Sequence, residues 1–255
     1  MSTAQAAFSE LARSGGRGAL VTVLEGATPG AKLFVGADRA TNGSLGSPGL
    51  DAVALELAEE LMWREESERR ELGEAILFVD VTYPAPRLIA FGAVDFAGAL
   101  CRIARAVGWR PYVVDPRKRF AQPARFPDAE QVIAAWPEEA FAQLGGIDRA
   151  ASIAVLTHDP KLDDAALIIA LRSEAGYIGA MGSRRAQASR RERLLAQGVS
   201  GEELARIAAP IGLDLGALTA EETALSIMAE LIAVKHGHSG GRLANASGRI
   251  HEVGV

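Results

Sequence analysis

Residues 88–120 read LIAFGAVDFAGALCRIARAVGWRPYVVDPRKRF, and no other stretch constrains the fold as tightly. An apolar run ends in a turn that opens at Gly92, a helix-period segment follows, and a second apolar run closes on Asp115. That order describes the first β-α-β unit of a dinucleotide-type fold, in which a helix supplies the long crossover that a parallel pair needs. The turn keeps part of the dinucleotide fingerprint G-x-G-x-x-G/A. Gly92 holds the first position and Ala97 the last small one, but Val94 replaces the middle glycine. That glycine lets a pyrophosphate approach the backbone, so Val94 opposes binding of NAD(P) even as the unit predicts a Rossmann-like sheet. Asp95 places a carboxylate at the helix start, where it can cap free N–H groups and would repel a phosphate.

The alternation continues downstream. Strands are expected at 87–91, 110–115, 151–157 and 176–181, with helices near 95–107, 161–173 and 183–197. A weaker strand is expected near 129–133, a helix start at Trp136-Pro137-Glu138-Glu139, and a final helix opened by Thr219 and Glu222 in a capping box. Strands and helices in this rhythm predict a parallel sheet covered on both faces.

The first block differs. It has strands at 19–26, 31–37 and 75–83, a glycine-rich loop at 41–49, and a helical pattern over 50–73 with a charged second half. Pro84-Ala85-Pro86 then interrupts the chain. The expected class is α/β: a smaller N-terminal α+β domain over 1–83, a Rossmann-like domain over 87–235, and a C-terminal tail over 236–255.

Composition narrows the function. Net charge is −5, which argues against nucleic acid as a general partner. No apolar run reaches the roughly 18 residues of a membrane span, and the N-terminus lacks a signal-peptide pattern. The single cysteine, Cys101, excludes an internal disulfide and suits a reducing compartment, so the cytoplasm is the expected location. Cys101 falls within a helical pattern and reads as a small buried hydrophobe rather than a nucleophile. No Ser-His-Asp pattern or cysteine–histidine metal spacing is present, so neither a catalytic residue nor a protein-held metal is expected.

Ligands of open α/β sheets bind beyond the carboxyl ends of the strands. Four loops belong there: the turn of Gly92 and Asp95, the segment from Asp115 to Arg119 containing Arg117, the segment from Thr157 to Lys161 containing His158, and the segment from Gly179 to Arg185 containing Gly182, Ser183 and Arg184. Asp115 lies at a strand end, where an acid can hold ribose hydroxyls, and the basic residues after it suit a phosphate. His158 is a candidate ligand contact or proton carrier. Gly182, Ser183 and Arg184 begin a helix and combine free N–H groups, a hydroxyl and a guanidinium into an anion site. Arg190, Arg191 and Arg193 read as a solvated basic face.

Seven segments together resemble one family: TVLEGATPGAKLFV, GSLGSPGLD, LIAFGAVDFAGAL, VVDPRKRFA, VLTHDPKLDDAAL, YIGAMGSRRA and APIGLDLGALTAEETALSIMAELIA. Over about 18–235 the chain resembles the XdhC/CoxI family, accessory proteins of xanthine dehydrogenase and related molybdenum hydroxylases. The resemblance implies transient binding of molybdenum cofactor (molybdopterin) and help with its sulfuration and insertion into a molybdenum hydroxylase. It also implies a cysteine desulfurase as a further partner, and a homodimer. In this chain Gly49 stands where the family pattern has a cysteine, and Val94-Asp95 stand where Gly-His is common. Two other readings remain open: an NAD(P)-dependent oxidoreductase, and a scaffold that has lost its ligand.

Overall fold

The computed structural model describes residues 2–246, and these divide into two compact units between Pro84 and Ala85. The N-terminal unit contains α1 (Thr3–Arg13), β1 (Gly18–Glu25), β2 (Lys32–Gly36), β3 (Thr41–Ser44), α2 (Pro48–Arg64), β4 (Glu68–Leu72) and β5 (Ala75–Thr82). Its antiparallel sheet has the order β3-β2-β1-β5-β4. Strand alternation sends Ala19, Val21 and Val23 to one face, where they pack with Ala54, Ala58 and Leu61 of α2.

Two expectations change here. Residues 41–44 are not loop but an edge strand, joined to β2 through main-chain pairs such as Phe34↔Asn42. The expected helix over 50–73 ends at Arg64, and 68–72 form β4. The end of α2 has a specific cause. Glu65 adopts the left-handed conformation at φ 60°, and the buried Arg17 donates to Met62 O at 2.8 Å while pairing with Glu65 at 2.9 Å. A carbonyl of the last helical turn thereby gains a charged donor. The Arg17 guanidinium also lies over Trp63, 4.7 Å from the ring centre.

The second unit contains β6 (Arg87–Phe91), α3 (Asp95–Ala106), β7 (Arg110–Val114), β8 (Gln131–Ile133), α4 (Pro137–Leu144), β9 (Ala151–Val155), α5 (Pro160–Leu171), β10 (Tyr177–Ala180), α6 (Arg184–Ala196), α7 (Gly201–Ala205), β11 (Ile207–Ala208) and α8 (Ala220–Lys235). Its six-stranded sheet is parallel throughout, in the order β11-β10-β9-β6-β7-β8. This is the strand order of doubly wound dinucleotide folds, with the switch between β6 and β9. Both faces of β6 are buried: Ile89 and Phe91 pack with Ala166 and Leu167 of α5, whereas Leu88 and Ala90 pack with Leu100 of α3 and Ile227 of α8. Cys101 lies in the latter core, where burial pushes its thiol up to about 12. No helix of the described residues is long and apolar enough to cross a membrane. Of the expected tail, residues 236–246 follow α8 and include a short turn at Leu243–Asn245, while 247–255 lie outside the described residues.

Candidate functional site

The carboxyl ends of β6 and β9 meet at the switch point, and the contact is tight. Gly92 has φ +116°, and a Cβ there would lie 2.3 Å from Thr157 Cγ2. Only glycine fits, because the backbone is left-handed and the neighbouring strand occupies the space. The turn is then fixed from several sides. Gly92 N–H donates to Val114 O at 2.7 Å, and Ala93 N–H donates to Asp115 Oδ2 at 2.9 Å. Arg125, unnoticed in the sequence, donates to Ala93 O at 3.2 Å and to Phe120 O at 3.0 Å, and reaches Asp95 Oδ1 at 3.4 Å. Asp95 does not cap α3 as expected. The N-cap is Val94, which makes no side-chain cap bond, and the Asp95 side chain is 92% exposed.

Asp115 is fully buried, and its carboxylate is already engaged. Oδ2 accepts from Ala93 N–H and from Arg117 Nη2 at 2.7 Å; Oδ1 accepts from Arg117 N–H at 2.9 Å and from Arg117 Nε at 2.8 Å. Burial alone would raise this carboxyl. The hydrogen bonds from Arg117 and Ala93, together with the guanidinium charge, outweigh it and hold the group below the usual carboxylate range. Arg117 and Arg119 both lie over Phe120, at 4.6 Å and 4.4 Å from its ring centre.

At the end of β9, the Thr157 hydroxyl donates to Asp163 Oδ1 and accepts from Asp159 N–H at 3.2 Å. Asp163, on α5, is buried and accepts from Arg190 Nη2 at 2.9 Å. Burial is the largest influence on its carboxyl and raises it, against the hydrogen bonds of Thr157 and Arg190 and the charges of Arg190 and His158. Asp115 and Asp163 therefore shift in opposite directions. The expected solvated face beyond Arg185 is corrected at Arg190 and Arg193. Arg190 is 4% exposed, and Arg193 makes a two-point pair with Asp164 at 2.7 Å and 2.9 Å. The adjacent acids Asp163 and Asp164 were the available signal, since carboxylates on an otherwise apolar helix need buried partners.

At the end of β10, Gly182 has φ +133°, and a Cβ there would lie 3.9 Å from His158 Cε1, so the exposed His158 borders this turn. Ser183 caps α6 by accepting Ala186 N–H at 3.3 Å. Arg184 and Arg185 are exposed, and the first turn of α6 carries no acid. Thr157, His158, Gly182, Ser183 and Arg184 thus border two adjacent strand ends, β9 and β10, with Gly92 against Thr157. Asp95, Asp115 and Arg117 belong to the β6–β7 side and bond chiefly to one another's loops.

The glycine-rich loop of the N-terminal unit is also built. Asp51 accepts the Ser44 hydroxyl at 2.7 Å and Leu45 N–H at 2.6 Å, Thr28 donates to Leu45 O, and Ser47 caps α2. Gly49 lies in the first turn of α2, and a Cβ there meets no atom within 4 Å. Among the described residues, no group of three or more His, Cys, Asp or Glu could hold a metal ion.

Comparison with known proteins agrees with this architecture. A model of the XdhC Rossmann domain matches residues 88–231, and one of the XdhC and CoxI family matches residues 11–73. The chain is 33% identical over 157 residues to a probable xanthine dehydrogenase subunit of Bacillus subtilis, covering 61% of this chain and 45% of that protein. It is 30% identical over 152 residues to the molybdenum cofactor insertion chaperone PaoD of Escherichia coli, covering 60% of this chain and 41% of the other. It spans less than half the length of these relatives. A crystal structure described as a xanthine dehydrogenase from Bacillus halodurans superposes with a TM-score of 0.63 at 26% identity, covering 89% of this chain and 65% of that one. With both units matched, the chain belongs to the XdhC and CoxI family.

Proposed function

We propose that this chain is an accessory protein that binds molybdenum cofactor as cargo and presents it to a molybdenum hydroxylase of the xanthine dehydrogenase type. The observation that carries the reading is the polar rim at the ends of β9 and β10. Ser183 and the backbone N–H groups at the start of α6 lie beside Arg184 and His158, with no acid in the first helical turn. Helix N–H groups and a guanidinium with no partner among the described residues suit the phosphate of a pterin cofactor. These residues fit the organic, anionic part of the cargo. Cys101, the chain's one thiol, is buried and held protonated, so it does not suit a metal-ligating or sulfur-carrying role. In this reading, sulfuration draws its sulfur from a separate cysteine desulfurase, and this chain's part is to bind and orient. The names of the relatives support the same role.

The dinucleotide-type strand order favours a second reading, NAD(P) binding. Against it, each Asp115 oxygen already accepts two hydrogen bonds, from Arg117 and Ala93, where such folds use the acid for a ribose hydroxyl. One titration separates these readings. Molybdenum cofactor is expected to bind the wild type, with affinity weakened about tenfold by Arg184→Ala through loss of one charged hydrogen bond. Equal affinity for both proteins would remove this anion site, and tight NADH binding in the same assay would favour the oxidoreductase.

A further inference from the structure

The last long helix, α8, breaks a rule that its neighbour keeps. A helix laid on the face of a sheet turns apolar residues inward and polar ones outward. On one face of the parallel sheet, α3 buries Leu100 and Cys101 and turns Arg102 and Arg105 to solvent. On the same face, α8 buries Ala224, Ile227, Met228 and Leu231, yet its outer side is apolar as well. Leu225 is 52% exposed and Ile232 is 36% exposed, one heptad apart, with the partly buried Ala229 between them. Leu218, a heptad before Leu225 and just ahead of the helix, is 93% exposed. Steps of three and four residues keep Leu225, Ala229 and Ile232 in one stripe, the pattern of a helix–helix seam.

The two ends of this stripe carry opposite charge. Glu221 and Glu222 stand in the first turn of α8, and Lys235 stands in the last. Glu221 also makes an exposed pair with Arg102 of α3 at 3.2 Å, at the edge of the stripe. A twofold axis beside Ala229 sets a second α8 alongside the first, running the other way. Leu225 then faces Ile232 of the second copy, and the small Ala229 lets the two backbones close at the axis. The acidic start of each helix faces the basic end of the other, and helix ends of opposite partial charge meet. The stripe thus complements itself, which a twofold interface requires. A parallel pairing would bring four carboxylates together instead.

We propose that the outer face of α8 is an interface between two copies of this chain, with the helices antiparallel about a twofold axis beside Ala229. The proposal stands apart from the cofactor reading. α8 covers a face of the parallel sheet rather than its strand ends, so pairing through it leaves the rim at β9 and β10 open.

Sedimentation equilibrium of the full chain is expected to show a dimer that dissociates on dilution. Leu225→Glu should raise its dissociation constant by about a hundredfold or more, because each dimer would bury two unpaired carboxylates. Its circular dichroism should match the wild type, since position 225 is exposed in the single chain. Leu24→Glu, at an exposed apolar position of the N-terminal unit, should leave the dimer unchanged. A short bis-maleimide reports the register: Ala229→Cys should be linked to its own copy, while the buried Cys101 of the wild type should not react. A wild type that stays monomeric up to its solubility limit would overturn the proposal. A dimer that Leu225→Glu leaves intact, or that Ala229→Cys fails to link, would put the interface elsewhere and overturn it too.

Discussion

At the residue scale, two buried aspartates show how partners set a carboxylate's behaviour. Asp115 titrates below its unfolded value, so the stability it adds is complete above the ordinary carboxylate range and is lost as pH falls through the lowered folded value. Asp115→Asn should cost about 2 kcal/mol at neutral pH, a figure below that of a fully buried pair because Arg117 is partly exposed. The cost should shrink toward pH 3, and chemical denaturation at neutral and acid pH measures it; an equal cost at both would contradict the pairing. Asp163 is shifted the other way, its folded carboxyl holding a proton more readily than the unfolded one. The acids of α5 signalled a need for buried partners, but the residue types alone did not say which partners. Asp115 looks like a ribose ligand because it ends a strand, yet Arg117, two residues on, folds back and occupies it. Arg190 looks solvated among its neighbouring arginines, and only the fold brings α5 alongside to supply Asp163.

At the element scale, the α2 N-terminus is the informative case. The loop before it is held by Asp51, Ser47 and Thr28, and the space around Gly49 is open. Gly49→Cys should therefore fold with a stability change of no more than about 0.5 kcal/mol. Its thiol, in the first turn of a helix, should titrate below the usual value of about 8.5. Cys101 is buried and pushed up to about 12, so alkylation of the native variant should label position 49 alone. Its rate against pH, read by mass spectrometry, gives the thiol's titration. Labelling no faster than that of a free thiol would show that the helix end exerts no field there. The sequence disclosed the buried strands β6, β7 and β9 well, because apolar runs with nothing polar to spare have few alternatives. It disclosed β3 and β4 poorly. Thr41–Ser44 is exposed at every position, and the charged Glu68–Leu72 continues the composition of α2. Edge strands are held by main-chain bonds that side chains do not advertise.

At the scale of the whole molecule, each unit has its own core. One cluster joins β1, β5 and α2, while two others cover the faces of the parallel sheet. A cavity in one should therefore act locally. Leu61→Ala, at a fully buried position of α2, is expected to cost about 2 to 5 kcal/mol within the N-terminal unit. Hydrogen exchange on the full chain should quicken in β1 and β5 and leave β6 and β9 unchanged; faster exchange in both sheets would show a single cooperative unit. The strand–helix alternation after Pro84 was legible in the sequence, whereas the meeting of Gly92 with Thr157 was not, since the two lie far apart in the chain. That meeting has a consequence for how such chains recombine. The seam between β6 and β9 divides the parallel sheet into two three-strand halves, and the residues at 92 and 157 fill one shared space across it. A crossover between these positions can join halves from two parents only if the glycine of one tolerates the strand-end side chain of the other, so the pair travels together or the hybrid sheet does not close.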